Sequence, residues 1–271
     1  MVGPFGEAAL LGIVHGATEF LPLSSGGHLA LAAILWKLEG SPALTLALHV
    51  ATLFATLIVL WPEVARATRE GGAALVRPSR FRSTAGGRDA LTTLLASVPT
   101  AALGFFLRTE LRHTQVSPLA VGLGFVGTAV ALVLAHFAGR GEHEQPTARG
   151  ALLLGVAQGL CVLPGLSRSG STIAVALLLG VRPVRAFELS LLISLPALLA
   201  TVGLELRALL AAPLPGDLAS VLVGGLAALA TGVLALHALR GIVARRRIAW
   251  FAFWVGPLAL ATIALGIAWP S

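Results

Sequence analysis

Charge is what this sequence has least of. Asp, Glu, Lys and Arg together make up 11% of its 271 residues, while hydrophobic types reach 56%. Soluble globular domains carry about 25% charged residues, so this composition excludes them and leaves the polytopic membrane class. Cysteine is nearly absent too: Cys161 stands alone in an apolar run, which excludes an internal disulfide. Tyrosine is missing altogether. The opening residues, MVGPFGEAALL, lack a basic n-region and carry Glu7, so no cleaved leader is expected. The net charge of +7 does not point to nucleic acid. Its cations sit in short segments between apolar runs, the pattern of loops that flank membrane spans, so membrane lipids are the expected surroundings.

Six apolar stretches, 43–61, 90–108, 117–138, 186–206, 217–239 and 248–269, are long enough to cross a hydrocarbon core of about 30 Å. Two further apolar regions, 8–36 and 151–181, are broken in the middle by proline, serine and glycine. Each half-run holds only about 8 to 14 residues, or roughly 12–21 Å of helix. Neither half spans alone, so both regions read as re-entrant helical hairpins whose freed backbone must be covered by other helices or a water-filled cavity. The expected fold is all-α, with six transmembrane helices and two re-entrant hairpins in one integral membrane domain.

The broken regions resemble each other. Gly12-Ile13-Val14-His15-Gly16 answers Gly155-Val156-Ala157-Gln158-Gly159, and Leu21-Pro22 answers Leu163-Pro164. A serine-rich turn follows in each, ending at Gly27 or Gly170. The chain therefore reads as a tandem repeat, copy one at 1–138 and copy two at 139–271, each a hairpin plus three spans. Three is odd, which inverts the second copy and places a site where the breaks meet. Loop charge gives an independent test. The segment 62–89 carries six arginines, and alternation puts 139–150, 182–185 and 240–247 on the same face with eight more. The opposite face receives Lys37, Arg108, Arg112 and Arg207. The arginine-rich face is expected to be cytoplasmic.

The chemistry gathers at the breaks. The second reads LPGLSRSGST from Leu163 to Thr172. Pro164 and Gly165 stop the incoming helix, and Ser167, Ser169, Gly170, Ser171 and Thr172 offer hydroxyls and N–H groups where the next begins. Arg168 stands among them. An arginine inside a bilayer costs roughly 3 kcal/mol or more, so it reads as functional, and with a helix N-terminus it makes a phosphate site. The first break carries Glu19, then Ser24, Ser25, Gly26, Gly27 and His28, with His15 one helical turn before Glu19. If the hairpins meet, Glu19 supplies a base, Ser25 a nucleophile, His28 an acid/base imidazole and Arg168 a clamp. That combination suits phosphoryl transfer or hydrolysis. Alternatively, Glu19 and phosphate oxygens hold a divalent cation such as magnesium. Plainer roles stay open for each residue. Glu19 pairs with Arg168 for structure alone, Ser24 and Ser25 satisfy freed carbonyls, or His28 caps and packs. His15 and His49 lie on apolar faces and read as hydrogen-bonding between helices, and Glu188 and Glu205 as interfacial.

These residues carry a family resemblance. GATEFLPLSSGGH (16–28) and PGLSRSGST (164–172) resemble the two signature motifs of undecaprenyl-diphosphate phosphatases of the bacitracin-resistance type. The likeness extends through ALHVATLFATL (47–57), SVPTAALGFFL (97–107) and Ala186–Leu198. It implies hydrolysis of a polyprenyl diphosphate to the monophosphate, which recycles the lipid carrier of cell-wall synthesis. It also implies a multi-pass protein of the bacterial inner membrane, often a homodimer, with its active site facing the periplasm or exterior. The catalytic set then falls on Glu19, Ser25, His28 and Arg168. Ser24, Gly26, Gly27, Ser167, Ser169, Gly170, Ser171 and Thr172 line the phosphate. Magnesium or calcium is the implied cofactor, on Glu19 and His15. One departure stands out: the family's first motif usually places Glu or Gln where this chain has His15, leaving one carboxylate rather than two. The competing readings are a polyprenyl-phosphate flippase, since inverted repeats with broken helices are common in transporters, and an anion channel.

Overall fold

A computed structural model of the chain describes residues 4–36, 41–111, 117–211 and 217–268. Lys37 and Arg112, counted above among the cations of one face, lie outside the described residues. Twelve α-helices and one short 3₁₀ turn account for nearly all of what is described. Among the described residues no β-strand forms, only an isolated bridge between His143 and Val181.

Two short pairs of helices interrupt the chain where the sequence is broken. The first pair is α1 (Pro4–Phe20) and α2 (Ser25–Trp36). Longer helices follow: α3 (Pro42–Val59), α4 (Trp61–Val76), the short α5 (Arg80–Ser83), α6 (Ala85–Leu111) and α7 (Pro118–His136). The second pair is α8 (Ala148–Leu160) and α9 (Arg168–Leu178), followed by α10 (Pro183–Leu210), α11 (Leu218–Ala244), the 3₁₀ turn Ile248–Phe251 and α12 (Ala252–Ala268). Six helical segments are long and apolar enough to cross a membrane: Pro42–Val59, Ala85–Leu107, Pro118–His136, Pro183–Leu210, Leu218–Ala244 and Ile248–Ala268. They coincide with the six stretches expected from hydropathy, with ends shifted by a few residues. Starts are set chemically: Ser41 and Ser117 each cap a helix that opens on proline, and Asp217 caps α11 through the N–H groups of Ala219 and Ser220.

The segment 62–89 differs from a simple loop. Most of it is helical, as α4, α5 and the first turn of α6. Alanine, arginine and glutamate favour helix without making a long apolar run, so hydropathy passes over it. The Glu70 carboxylate accepts the Gly86 N–H at 2.7 Å and ties α4 to the start of α6. That bond, first among its neighbours, holds the Glu70 carboxyl below its ordinary range.

Packing exchanges the two halves. Helix α1 lies along α11, and α8 lies along α6, so each short pair rests on a long helix of the other half. Helices α7 and α12 pack together, as do α3 and α10. Small residues allow the close approaches. Gly12 and Gly16 of α1 press on Gly224, Ala227 and Ala228 of α11, and Gly155 and Gly159 of α8 press on Ala96, Pro99 and Leu103 of α6. The largest buried cluster joins Phe20, at the end of α1, to Phe187, Ile193, Ile173 and Leu236. Phe20 is held there by Gly232 of α11 and Ala55 of α3. The end of the first short helix is thereby pinned in the middle of the molecule.

Candidate functional site

The two breaks touch. A side chain at Gly27 would run into Phe125 of α7 and the backbone of Gly165, while Gly170 faces Pro22. Each break ends in a capped helix. Ser24 accepts the Gly27 N–H on its hydroxyl at 3.3 Å and opens α2; Ser167 accepts the Gly170 N–H at 3.2 Å and opens α9. The first helical residue of α2 is Ser25 and the first of α9 is Arg168. In both, the leading N–H groups point out of the helix end without intrahelical acceptors. Two helix N-termini, each attractive to an anion, thus converge.

Glu19 joins them. Its Oε2 accepts the Ser25 hydroxyl at 2.5 Å, and its Oε1 accepts Arg168 Nη2 at 2.5 Å. The Glu19 and Arg168 side chains remain 11% and 21% exposed, so the pair is shielded yet reachable. Backbone strain sits beside it. Ser24 has φ +68°, a left-handed conformation that costs a non-glycine residue, whereas the second break gives that task to Gly165 at φ +88°. Glycine at 165 has a second reason: a Cβ would overlap the Val121 carbonyl oxygen.

The remaining expected site residues divide. His28 does not join the Glu19 pair: its Nδ1 bonds the Ser24 carbonyl at 2.9 Å, and Trp254 donates to its Nε2 at 3.3 Å. Those partners place the proton on Nδ1 and turn the ring toward α12 and Phe125. Gly26 faces open space, while Gly27 and Gly170 are consumed by the contact between breaks. Ser169 lies 3.4 Å from the Ser167 hydroxyl. Thr172 bonds the Arg168 carbonyl at 2.7 Å and Ser190 at 2.6 Å, which fastens α9 to α10. Ser171 is buried. His15 is 2% exposed, and both its ring nitrogens are buried without a hydrogen-bond partner.

Thr128 carries no signal in the sequence beyond being a hydroxyl inside an apolar span. It donates to the Gly165 carbonyl at 2.8 Å and accepts the Ser167 N–H at 2.8 Å, so α7 holds the second break in shape. Glu205, near the end of α10, is half-buried and paired with His49, whose Nδ1 lies 3.0 Å from its carboxylate. Glu188 is likewise buried and paired, 2.5 Å from Arg185, which also reaches the fully buried Asp89 at 2.5 Å.

A divalent cation does not fit the donors as they stand. Both Glu19 oxygens are engaged, His15 is enclosed, and among the described residues no three His, Cys, Asp or Glu gather around one point.

Comparison with known proteins bears on this geometry. Residues 8–261 match the family described as bacitracin resistance protein BacA. A protein of Bacteroides fragilis named undecaprenyl-diphosphatase is 34% identical over 263 residues, covering 95% of this chain and 96% of that one. Proteins of the same name from Korarchaeum cryptofilum (35% identical, 96% and 98% covered) and Carboxydothermus hydrogenoformans (34%, 96% and 96%) are equally similar end to end.

Proposed function

Because this chain belongs to the bacitracin resistance protein BacA family, we propose that the paired helix breaks are the active site of an undecaprenyl-diphosphatase. The protein is a multi-pass membrane enzyme that hydrolyses undecaprenyl diphosphate to undecaprenyl phosphate and inorganic phosphate. The observation that carries the site assignment is Glu19 bridging Ser25 and Arg168 at 2.5 Å on each side.

In this reading the terminal phosphate settles between the N-termini of α2 and α9, against the unused donors of the Arg168 fork. Ser25 Oγ attacks the terminal phosphorus and its proton passes to Glu19 Oε2. The bond from that phosphorus to the bridging oxygen breaks, and its electron pair leaves on undecaprenyl phosphate. Water then attacks the phosphoserine, releasing inorganic phosphate and restoring the hydroxyl. Lipid-facing surroundings suit a substrate whose tail stays in the bilayer. The hairpins are re-entrant and the halves inverted copies, a reading supported by the exchanged packing of α1 on α11 and α8 on α6. The membrane is the bacterial plasma membrane, and the site faces its outer side. Glu205 lies toward the end of α10 opposite the arginine-rich segments and pairs with His49 in the middle of α3; the two side chains are 19% and 20% exposed. A cation, if the chemistry uses one, arrives with the diphosphate; the steps above use the protein's own groups. Transport is not favoured, since the relatives are named for hydrolysis and a serine–carboxylate contact has no task in a carrier.

The direct test is phosphate release from purified protein given undecaprenyl diphosphate and shorter prenyl diphosphates, with magnesium, with calcium and with a chelator. Release that vanishes in Ser25→Ala supports the reading; movement of lipid between leaflets without phosphate release would overturn it. Orientation is read by labelling from outside in a Cys161→Ser background. Ser79→Cys should stay unlabelled and a cysteine at Asp217 should react; labelling at 79 sinks the topology.

A further inference from the structure

Beside the Glu19 pair lies a second polar group that the mechanism above leaves idle. His49 of α3 directs Nδ1 to the Glu205 carboxylate of α10 at 3.0 Å. A carboxylate accepts only, so Nδ1 carries a proton, and in the neutral ring Nε2 presents a lone pair. Among the described residues that nitrogen has no hydrogen-bond partner, and it keeps some access to solvent. Behind the ring stands His15, perpendicular at 5.0 Å between centroids and itself closed off from solvent. His15 shares α1 with Glu19, one turn away, which puts His49 on the flank of the Ser25–Glu19–Arg168 cluster. The charges of both Glu19 and Arg168 act on His49.

A carboxylate fixing one nitrogen of an imidazole, with the other left unbonded, is an arrangement that orients a small donor. His49 also ties α3 to α10 through Glu205, whereas His15 has no such bond. A buried imidazole with no partner is costly, and its repeat counterpart, Gln158, is tied to the Ile193 carbonyl and Thr100. We propose that His49, held by Glu205 and backed by His15, positions the water that discharges the phosphoserine. Water donates one hydrogen to His49 Nε2, which directs its oxygen lone pair at phosphorus. Attack forms the new P–O bond, the P–Oγ bond of Ser25 breaks with its electron pair, both hydrogens of the water leave on the released dihydrogen phosphate, and the serine oxygen recovers its proton from Glu19. Phosphoryl transfer asks mainly for such placement of the nucleophile. This assignment rests on the hydrolase reading and adds a residue to it.

The test follows both products from undecaprenyl diphosphate in wild type, His49→Leu, His49→Gln, Glu205→Leu, Glu205→Gln and Ser25→Ala. His49→Leu is expected to lose on the order of 100-fold in kcat with KM falling alongside it, because slowing the second step alone leaves kcat/KM, set by the first, unchanged. It should release a burst of one equivalent of undecaprenyl phosphate and accumulate phosphate on Ser25, seen by mass spectrometry. His49→Gln should recover much of the rate, since an amide oxygen also accepts from water. Glu205→Gln should outperform Glu205→Leu, because orienting Nδ1 needs an acceptor rather than a charge. Unchanged kcat in His49→Leu overturns the proposal, and so does a fall in kcat without phosphoserine. If His49→Leu does not accumulate in the membrane, Glu205→Leu is read by the same two criteria. Wild type that releases no phosphate at all defeats the hydrolase reading; wild type that turns over, with turnover lost in Ser25→Ala but untouched in His49→Leu, defeats this inference alone.

Discussion

The two broken hairpins solve the same structural problem and then part company. Both use a glycine pair four residues apart to lie close on a long helix of the other half, and both open their second helix with a serine cap. The differences fall on the residues with chemistry. Where the first hairpin has His15, Glu19 and Ser25, the second has Gln158, Val162 and Arg168. One break contributes the carboxylate and the hydroxyl, the other the cation, and neither is complete alone. The two breaks share a way of stopping and restarting a helix, and they differ at the few positions that meet at the crossing.

Substituting the unlike positions should break this division most severely. Arg168→Ala is expected to lower kcat/KM by about 10²–10³ or more, as loss of a charge-assisted donor to the transition state does. Arg168→Lys should also be poor, because one ammonium lacks the fork. Ser167→Ala, one residue away, should cost only about 1 kcal/mol of stability by loss of a cap. Phosphate-release kinetics and thermal unfolding in detergent separate the two, and a near-fully active lysine variant would end the clamp role.

The like positions should be unequal in tolerance. A Cβ at Gly16 would overlap the Ala228 backbone carbonyl, whereas one at Gly159 meets the Leu103 side chain at 2.8 Å. Gly16→Ala should therefore destabilise by about 2–3 kcal/mol and Gly159→Ala by about 1 kcal/mol. Equal unfolding midpoints would show that the hairpins pack alike after all.

His15 and Gln158 should differ in sign. Replacing His15 by leucine removes two buried, unpartnered nitrogens and should raise stability by about 1 kcal/mol. Gln158→Leu loses the bonds to Ile193 and Thr100 and should lower it by a similar amount. A destabilised His15→Leu would mean that the imidazole has a partner in the membrane.

The smallest effect lies on α11, the helix beneath the first hairpin. The Ser220 hydroxyl and the N–H groups of Ala219 and Ser220 hold the Asp217 carboxyl below its ordinary value. A depressed carboxyl stabilises above its unfolded value, and that contribution disappears as pH falls through the folded one. The gap in unfolding midpoint between wild type and Asp217→Asn should close as the pH drops through the carboxylate range. A gap independent of pH would assign it to packing.

Much of this was legible in the sequence for one physical reason: lipid tolerates little else. Backbone polar groups must be satisfied within the segment, so an apolar run of 18 or more residues reads as a spanning helix, and six helices of that length and composition formed with ends shifted by a few residues. The same intolerance made Pro22, Pro164 and Arg168 conspicuous. Amphipathic α4 escaped notice because it lies outside that constraint, and the contact of His28 with Trp254 was hidden because the two are 226 residues apart.

By itself the sequence determined the spans, the two breaks and the residue types that meet there. It could not determine who bonds to whom. That Glu19 gives one oxygen to Ser25 and the other to Arg168, that Thr128 shapes the second break, and that Glu205 turns His49 depend on helices brought together from distant parts of the chain. Hydropathy is a property of each segment and survives in one dimension. Hydrogen bonds between helices are set by rotation and depth, which only close packing against glycine and alanine fixes.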